Sequence, residues 1–333
     1  MKVLVIRFSS IGDMVLTTPV LRCLKKLDGK AVELHYVTKK AFADVLAHNP
    51  YVDKLHLLDG SLWQLSRQLR RENFDFIVDL HHNLRSGLVK MRLRKPAGSF
   101  RKLNPEKWML TKLKINKLPE KHIVDRYFDA AAALGVENDH EGLDFFVGDD
   151  IGQMPEVIPP ECTKYVAFAI GGKHATKRLP NEKIVSVCNR IRLPVILLGG
   201  RYDRANGDQI AGECDAGKVY NACGQLNIRE SACVVKHARA VISHDTGLMH
   251  IAAAFNKHLV SIWGNTVPEF GMVPYMPQHP ERSVIIEVKD LPCRPCSKIG
   301  YSKCPKKHFD CMMKINEEEI IAALDDMLQE ELP

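Results

Sequence analysis

Residues 2–27, KVLVIRFSSIGDMVLTTPVLRCLKKL, decide the fold class. The run from Lys2 to Phe8 is apolar and of strand length, broken only by Arg7, and after a Ser-Ser-Ile-Gly-Asp turn the spacing becomes helical as far as Leu27. The alternation repeats with AVELHYV (31–37), a helix predicted over Ala41–His48, KLHLL (54–58), another helix, and FDFIVDL (74–80). Repeated strand and helix of this kind predict a parallel sheet.

A second series of the same kind follows a Pro-, Gly- and acid-containing linker at 142–161. It comprises KYVAFAI (164–170), a helix after Pro180, PVILLGG (194–200), a helix over Asp203–Cys214, KVY (218–220), a helix over Ile228–His237, AVIS (240–243), TGLMHIAAAF (246–255) and HLVSIWG (258–264). The fold class expected is therefore α/β, with two doubly wound, Rossmann-like domains at 1–155 and 156–333 and a cleft between the carboxyl ends of their strands. A length of 333 residues fits two domains of roughly 150 residues. A closing helix is predicted from Asn316 to Glu330, with Glu317, Glu318 and Glu319 at its positive end.

Composition narrows the function classes. With 45% hydrophobic and 26% charged residues and no low-complexity tract, the chain is a globular protein. The apolar runs stay far below the ~20 residues that span a bilayer, and the start lacks a secretory signal, so a cytoplasmic location is expected. Cys23, Cys162, Cys188, Cys214, Cys223 and Cys233 read as small core residues in a reducing compartment. Cys293, Cys296, Cys304 and Cys311 form a looser set in which a structural zinc competes with four reduced loop thiols. Charge is uneven: between Arg85 and Arg126 thirteen Lys or Arg stand against Glu106, Glu120 and Asp125, a local charge of +10 on a net +7. Such a window reads as a solvated helix face or as an anion-binding surface.

Three strand-to-helix junctions carry the candidate chemistry. The first, Phe8 to Asp13, brings backbone amides together and sets Gly12 where a ligand can approach, while Asp13 is either a helix cap or a carboxylate at the mouth of a site. The second, Ser243 to His250, again precedes a helix whose free amides suit a pyrophosphate, Asp245 and Thr246 serving otherwise as an N-cap pair. The third, Gly171-Gly172-Lys173-His174-Ala175-Thr176-Lys177-Arg178-Leu179-Pro180, joins a glycine turn to three basic residues, Lys173, Lys177 and Arg178, and reads as a phosphate-binding loop. Neither the P-loop spacing nor the dinucleotide Gly-x-Gly-x-x-Gly is present, which removes support for ATP hydrolysis and NAD chemistry.

In that order, VIRFSSIGDMVLTTPVL, the loop ending Lys177-Arg178-Leu179-Pro180, and SHDTGLMHIAAAF followed by Gly264-Asn265-Thr266 resemble glycosyltransferase family 9, whose best-known members are ADP-heptose lipopolysaccharide heptosyltransferases. The resemblance covers most of the chain. It implies a GT-B fold and an inverting, metal-independent transfer of heptose from ADP-heptose to the Kdo/lipid A region of the lipopolysaccharide core. Asp13 is then the general base, and Lys177 stabilises the leaving diphosphate. Donor contacts are expected from Ser9, Ser10, Gly12, Gly171, Gly172, Thr176, Asp245, Thr246, Gly247, Leu248, Met249 and His250. Tyr202 and Asp203 both stand near the position of the acid that contacts the nucleotide. The resemblance gives no cofactor, the nucleotide sugar being a substrate, and points Arg85, Arg92, Arg94, Lys95 and Arg101 at an anionic acceptor on the cytoplasmic face of the inner membrane. A relative using another nucleotide sugar is the alternative; a nucleic-acid binder fits poorly, since only Phe100 and Trp108 interrupt the middle of the basic window.

Overall fold

The strand and helix alternation builds two wholly parallel sheets in the computed structural model, which describes residues 1–27, 29, 31–151 and 153–329. The chain divides into two compact units. The first takes Met1–Leu103 and Lys121–Phe146; the second takes Asn104–Glu120 and Val147–Pro333.

In the first unit β1 (Lys2–Ile6) leads through α1 (Ile11–Val15) and α2 (Thr18–Lys25) to β2 (Glu33–Lys39) and β3 (Lys54–Leu58). There follow α3 (Leu62–Arg71), β4 (Phe76–Asp79), α4 (Leu84–Leu93) and β5 (Ala97–Ser99); α5 (Asn104–Trp108) belongs to the second unit, and α6 (Ile123–Phe128) returns to the first. The strand order is β3-β2-β1-β4-β5. Leu4, Ile6 and Phe8 from one strand run pack with Val37, Phe74 and Ile77 and with Leu65 and Leu69 of α3 and Val89 and Leu93 of α4. Fully buried side chains such as Leu4 and Phe8 each stabilise the unit by ~1.5–3 kcal/mol. Where a helix was expected over 41–48 the chain forms only a 3₁₀ turn, Lys40–Val45, in which Val45 alone is buried. The segment 122–135 is helical only to Phe128, then tightens into a 3₁₀ turn at Ala132–Leu134 that ends at Gly135 in the left-handed region.

The second unit runs β6 (Val166–Ala169), α7 (Asn181–Arg190), β7 (Val195–Leu198), α8 (Arg204–Glu213), β8 (Val219–Asn221), α9 (Ile228–His237), β9 (Ala240–His244), α10 (Gly247–Ala254) and β10 (His258–Trp263). It closes with β11 (Ser283–Glu287), α11 (Asp310–Met313) and α12 (Glu317–Gln329), in the sheet order β11-β10-β9-β6-β7-β8. The predicted end of the last helix, Glu330, lies outside the described residues. Val166, Phe168, Val195, Leu197, Ile242 and Val260 face helices carrying Ile184, Val187, Ile210, Ile320 and Leu324 in one continuous core.

The segment Asn104–Glu120, placed by sequence before the boundary at 155, packs instead in the second unit. Leu110 and Leu118 meet Val267 and Phe270. Lys114 Nζ donates to the carbonyls of Cys293 (3.1 Å) and Pro295 (2.7 Å). These contacts span more than 140 residues of chain, which local pattern cannot reveal. Among the described residues no helix is long and apolar enough to cross a membrane.

Candidate active site

Each sheet order reverses direction at one point, and the candidate residues gather there. In the first unit the reversal lies between β1 and β4, where Ile6 pairs with Asp79 so that Arg7 and Leu80 leave the sheet side by side. In the second it lies between β6 and β9, where Ala169 pairs with Ser243. Loops diverge above and below the sheet at such a point and leave a crevice for ligands.

In the first unit Asp13 stands in the opening turn of α1. Its Oδ2 accepts from Ser10 Oγ (2.7 Å) and Ser10 N (3.2 Å), so it does cap the helix, while its Oδ1 pairs with Arg7 Nη2 at 2.6 Å. Burial opposes the charge, but the Arg7 guanidinium and the Ser10 donors prevail and hold the Asp13 carboxyl below the usual carboxylate range. A fifth of the side chain stays open to solvent, 21%, enough for a substrate hydroxyl to reach it. Arg7 is itself buried and fixed on three further sides: Nε donates to Ser9 O (2.7 Å), and Nη1 to Leu80 O (2.5 Å) and Tyr127 Oη (3.2 Å). Ser9 thus positions Arg7 through its carbonyl, Ser10 positions Asp13, and Gly12 lies buried within α1.

Asp79 at the end of β4 is wholly buried, accepts from the amides of His81 and His82 (3.0 and 2.7 Å) and pairs with Lys90 at 2.9 Å. His81 packs edge-on against Phe8, and burial followed by the Arg7 charge lowers its pKa to about 4, so its ring is neutral. Sequence reasoning passed over Arg7 and His81. The signal for Arg7 was a charge inside an otherwise apolar strand; His81 carried none.

Of the five cations assigned to an acceptor, Arg85 and Arg92 share one flank of α4, and Arg101 follows β5 at the carboxyl end of the sheet. Arg94 and Lys95 follow Arg92 at the C-terminal end of α4, ~14 Å along the axis from Arg85, with Lys95 bonded to Asn73 at 2.7 Å.

In the second unit the loops after β6 and β9 are joined by Lys177, whose Nζ meets Asp245 Oδ2 at 2.5 Å and Asp245 O at 3.3 Å. Thr266 Oγ1 donates to the same carboxylate oxygen at 2.8 Å. His244 Nε2 accepts from Leu179 N at 2.9 Å; burial first, then Arg178, lowers its pKa to about 4, and the neutral ring ties the two loops together. Gly172 lies against Arg178 and Thr246, its site for a Cβ being 3.6 Å from Thr246 Cγ2. At Gly171 a Cβ would come within 2.6 Å of Asp203 Oδ2 and 2.9 Å of Gly199 Cα, so that glycine serves close packing of the β6 and β7 loops. Asp203 is the acid held inside: it accepts from Gly200 N (2.9 Å) and pairs with Arg178 (3.1 Å), whereas Tyr202 is exposed.

Thr246 is the N-cap of α10 in extended conformation, and no side chain caps the amides of the first turn, which leaves Gly247 and Leu248 at an open positive end. Met249 and His250 are buried in the same turn, so Met249 can offer a ligand only its backbone. Thr176, also buried, spends its hydroxyl on Tyr301: it accepts from Tyr301 N (2.8 Å) and donates to Tyr301 O (3.2 Å). Asn265 is 1% exposed, and neither polar atom of its side chain finds a partner among the described residues. An unmatched buried amide costs ~1–3 kcal/mol, so a ligand hydroxyl or ordered water is expected to meet it. A cavity of 280 Å³ beside the loop is lined by Arg178, Asp203, Asn206 and Phe309 but not by Lys177 or Asp245.

Metal-ligand geometry is limited. His35, His56 and Glu72 in the first unit have ligand atoms within 4.8 Å of one another. Their lone pairs are already engaged: His35 Nδ1 and His56 Nε2 share a hydrogen bond of 2.9 Å, and Glu72 pairs with Lys54 (2.5 Å) and Lys2 (3.5 Å). Burial and His35 lower the His56 pKa to about 4. Burial first, then the neighbouring thiols, pushes the pKa values of Cys296 and Cys311 up, but Cys293, Cys296, Cys304 and Cys311 do not converge to that distance as a set.

The family model for Glycosyltransferase family 9 (heptosyltransferase) matches residues 62–306. Lipopolysaccharide heptosyltransferase 1 of Pseudomonas aeruginosa is 25% identical, over 98% of both chains. Among solved structures, a family 9 glycosyl transferase from Veillonella parvula superposes with a TM-score of 0.79 at 21% identity, over 99% of this chain and 98% of that one. The ADP-heptose lipopolysaccharide heptosyltransferase II of E. coli gives 0.74 at 19% identity, over 99% of each. Two parallel-sheet units with sites at their reversal points constitute the GT-B architecture, and this chain belongs to glycosyltransferase family 9, the heptosyltransferases.

Proposed function

We propose that the protein transfers heptose from ADP-heptose to the Kdo/lipid A region of a lipopolysaccharide core precursor, with inversion and without a metal. The observation that carries this reading is the Asp13 carboxylate, kept ionised by Arg7 and partly open to solvent at the reversal point of its sheet. In the reaction the acceptor O–H bond breaks toward an Asp13 oxygen as the acceptor oxygen forms its bond to the anomeric carbon from the face opposite the diphosphate. The bond from that carbon to the diphosphate oxygen breaks, and ADP leaves with the electron pair. A base of low pKa takes the proton late, after the new bond has begun to form. Charge on the leaving diphosphate is met by Lys177 Nζ and by the uncapped amides of α10, both preorganised in the second unit. Asp245 holds Lys177 in place and can accept from a donor hydroxyl.

Support for the donor comes from the junction motifs and from the names of the relatives, one of which is an ADP-heptose enzyme. The test is calorimetric titration with ADP, UDP and GDP and then the matching nucleotide sugars, paired with transfer assays of Asp13→Ala. Selective binding of ADP and ADP-heptose, with transfer down ~10²–10⁴-fold and donor affinity unchanged in Asp13→Ala, is expected. Preference for UDP or GDP would reassign the donor, and retained turnover in the variant would remove the assigned base.

A further inference from the structure

A surface helix of a globular protein turns one apolar stripe to the core and a polar face to water. Helix α4 does not. Ser86, Val89 and Leu93 face inward, but the opposite pole carries Leu84, Leu88 and Met91, which are 88%, 40% and 64% exposed. At 100° per residue these three fall within about 60° of one another, directly away from the core stripe. Arg85 and Arg92 line one flank of that arc, and Arg94 stands at the helix C-cap in the left-handed region, φ 52°. No ion pair engages Arg85, Arg92 or Arg94 among the described residues, whereas Lys90 turns toward Asp79. From Leu80 to Pro105 the sequence contains seven basic residues, Arg85, Lys90, Arg92, Arg94, Lys95, Arg101 and Lys102, and no acid.

We propose that α4 is an interfacial helix that seats the first unit on an anionic lipid surface, with Leu84, Leu88 and Met91 entering the headgroup boundary and Arg85, Arg92 and Arg94 meeting lipid phosphates. A narrow apolar stripe flanked by arginines is the pattern of helices that lie in a membrane plane, and each basic residue near an anionic leaflet strengthens the binding. A second copy of the chain is disfavoured as occupant, because a twofold contact through this face would set Arg85 and Arg92 against their own counterparts. The stripe begins at Leu84, four residues beyond the strand end that touches Arg7, so a seated helix brings the lipid surface to the same end of the sheet as Asp13. The inference rests on this surface alone and stands whichever nucleotide sugar is the donor.

The test is co-sedimentation of the full chain, without donor or acceptor, with vesicles of phosphatidylcholine alone or of phosphatidylcholine mixed with phosphatidylglycerol. The protein is expected to pellet with the mixed vesicles and not with the neutral ones. The variant Leu84→Gln, Leu88→Gln, Met91→Gln should partition at least about tenfold more weakly, since burying these side chains supplies the apolar part of the binding. Its thermal midpoint and ADP affinity should match the parent, because all three side chains are exposed on α4 of the first unit and the donor loops belong to the second. Equal vesicle binding by variant and parent would overturn the proposal. So would a parent that ignores anionic vesicles, or one that sediments as a dimer which the triple substitution dissociates.

Discussion

At the scale of single residues, Arg7 does more than neutralise Asp13. It binds a serine carbonyl, a strand-end carbonyl and a tyrosine hydroxyl at once, so the base is oriented by a group that cannot itself rotate away. The pair also fixes a pH dependence. Because the folded-state pKa of Asp13 lies below its unfolded value, the stabilisation is complete above the ordinary carboxylate pKa of about 3.9 and is lost as pH falls through the folded value. In Arg7→Lys the fork is replaced by a point charge that cannot keep all four contacts, the Asp13 pKa rises, and the acidic limb of kcat/KM is expected to move to higher pH. An unchanged limb in a folded variant would show that the guanidinium does not set the basicity. Sequence singled out Asp13 and Lys177 as candidates because both fall at strand-to-helix junctions. It did not disclose that Lys177 rests on Asp245, 68 residues away, whose carboxylate also accepts from Thr266.

At the scale of elements, the strands were legible wherever both faces are buried. β1, β4, β6, β7, β9 and β10 are almost wholly covered and read as apolar runs. β5 and β11 escaped notice for the opposite reason: they edge their sheets, and β11 buries only Ile286. Gly171 was read as ligand-facing, yet it sits tightly against Asp203 and Gly199, and Gly264 is packed as closely. A Cβ at Gly264 would lie 2.7 Å from Thr176 O and 2.6 Å from Met312 Cε. The methionine can move; the carbonyl, part of the loop that carries Lys177, cannot without displacing it. Gly264→Ala is therefore expected to destabilise the second unit by roughly 1–3 kcal/mol and to weaken ADP binding together with it, measured by denaturant unfolding and calorimetry. Lost affinity at full stability would place the glycine against the ligand instead.

At the scale of the whole molecule, the basic window that reads as one surface in sequence is shared between two units. Arg85 to Lys102 stay with the first, while Lys107, Lys112, Lys114 and Lys117 go with the second. Lys114 is spent on two loop carbonyls. The local +10 is thus not one patch, and the part beside Asp13 is the part on and after α4. Both units also bury neutral histidines: His56 and His81 in the first and His244 in the second, each lowered to about 4. Unfolding returns them to a pKa near 6.5, so the unfolded chain takes up protons first and stability falls as pH drops from about 6.5 toward 4. Denaturant midpoints measured at neutral and mildly acidic pH should show this loss, and His244→Gln should flatten it; a midpoint indifferent to pH in that range would mean the rings are charged in the fold.

The segment Asn104–Glu120 carries one more consequence, for biosynthesis. A ribosome making this chain extrudes Leu110 long before Val267 and Phe270, the side chains it packs against. At 5–20 residues per second that interval is roughly 10–30 s. Throughout it the first unit already has its strands, while the insertion between Leu103 and Lys121 waits as a loop for a partner not yet translated. Completion of the nascent first half is therefore tied to arrival of the second.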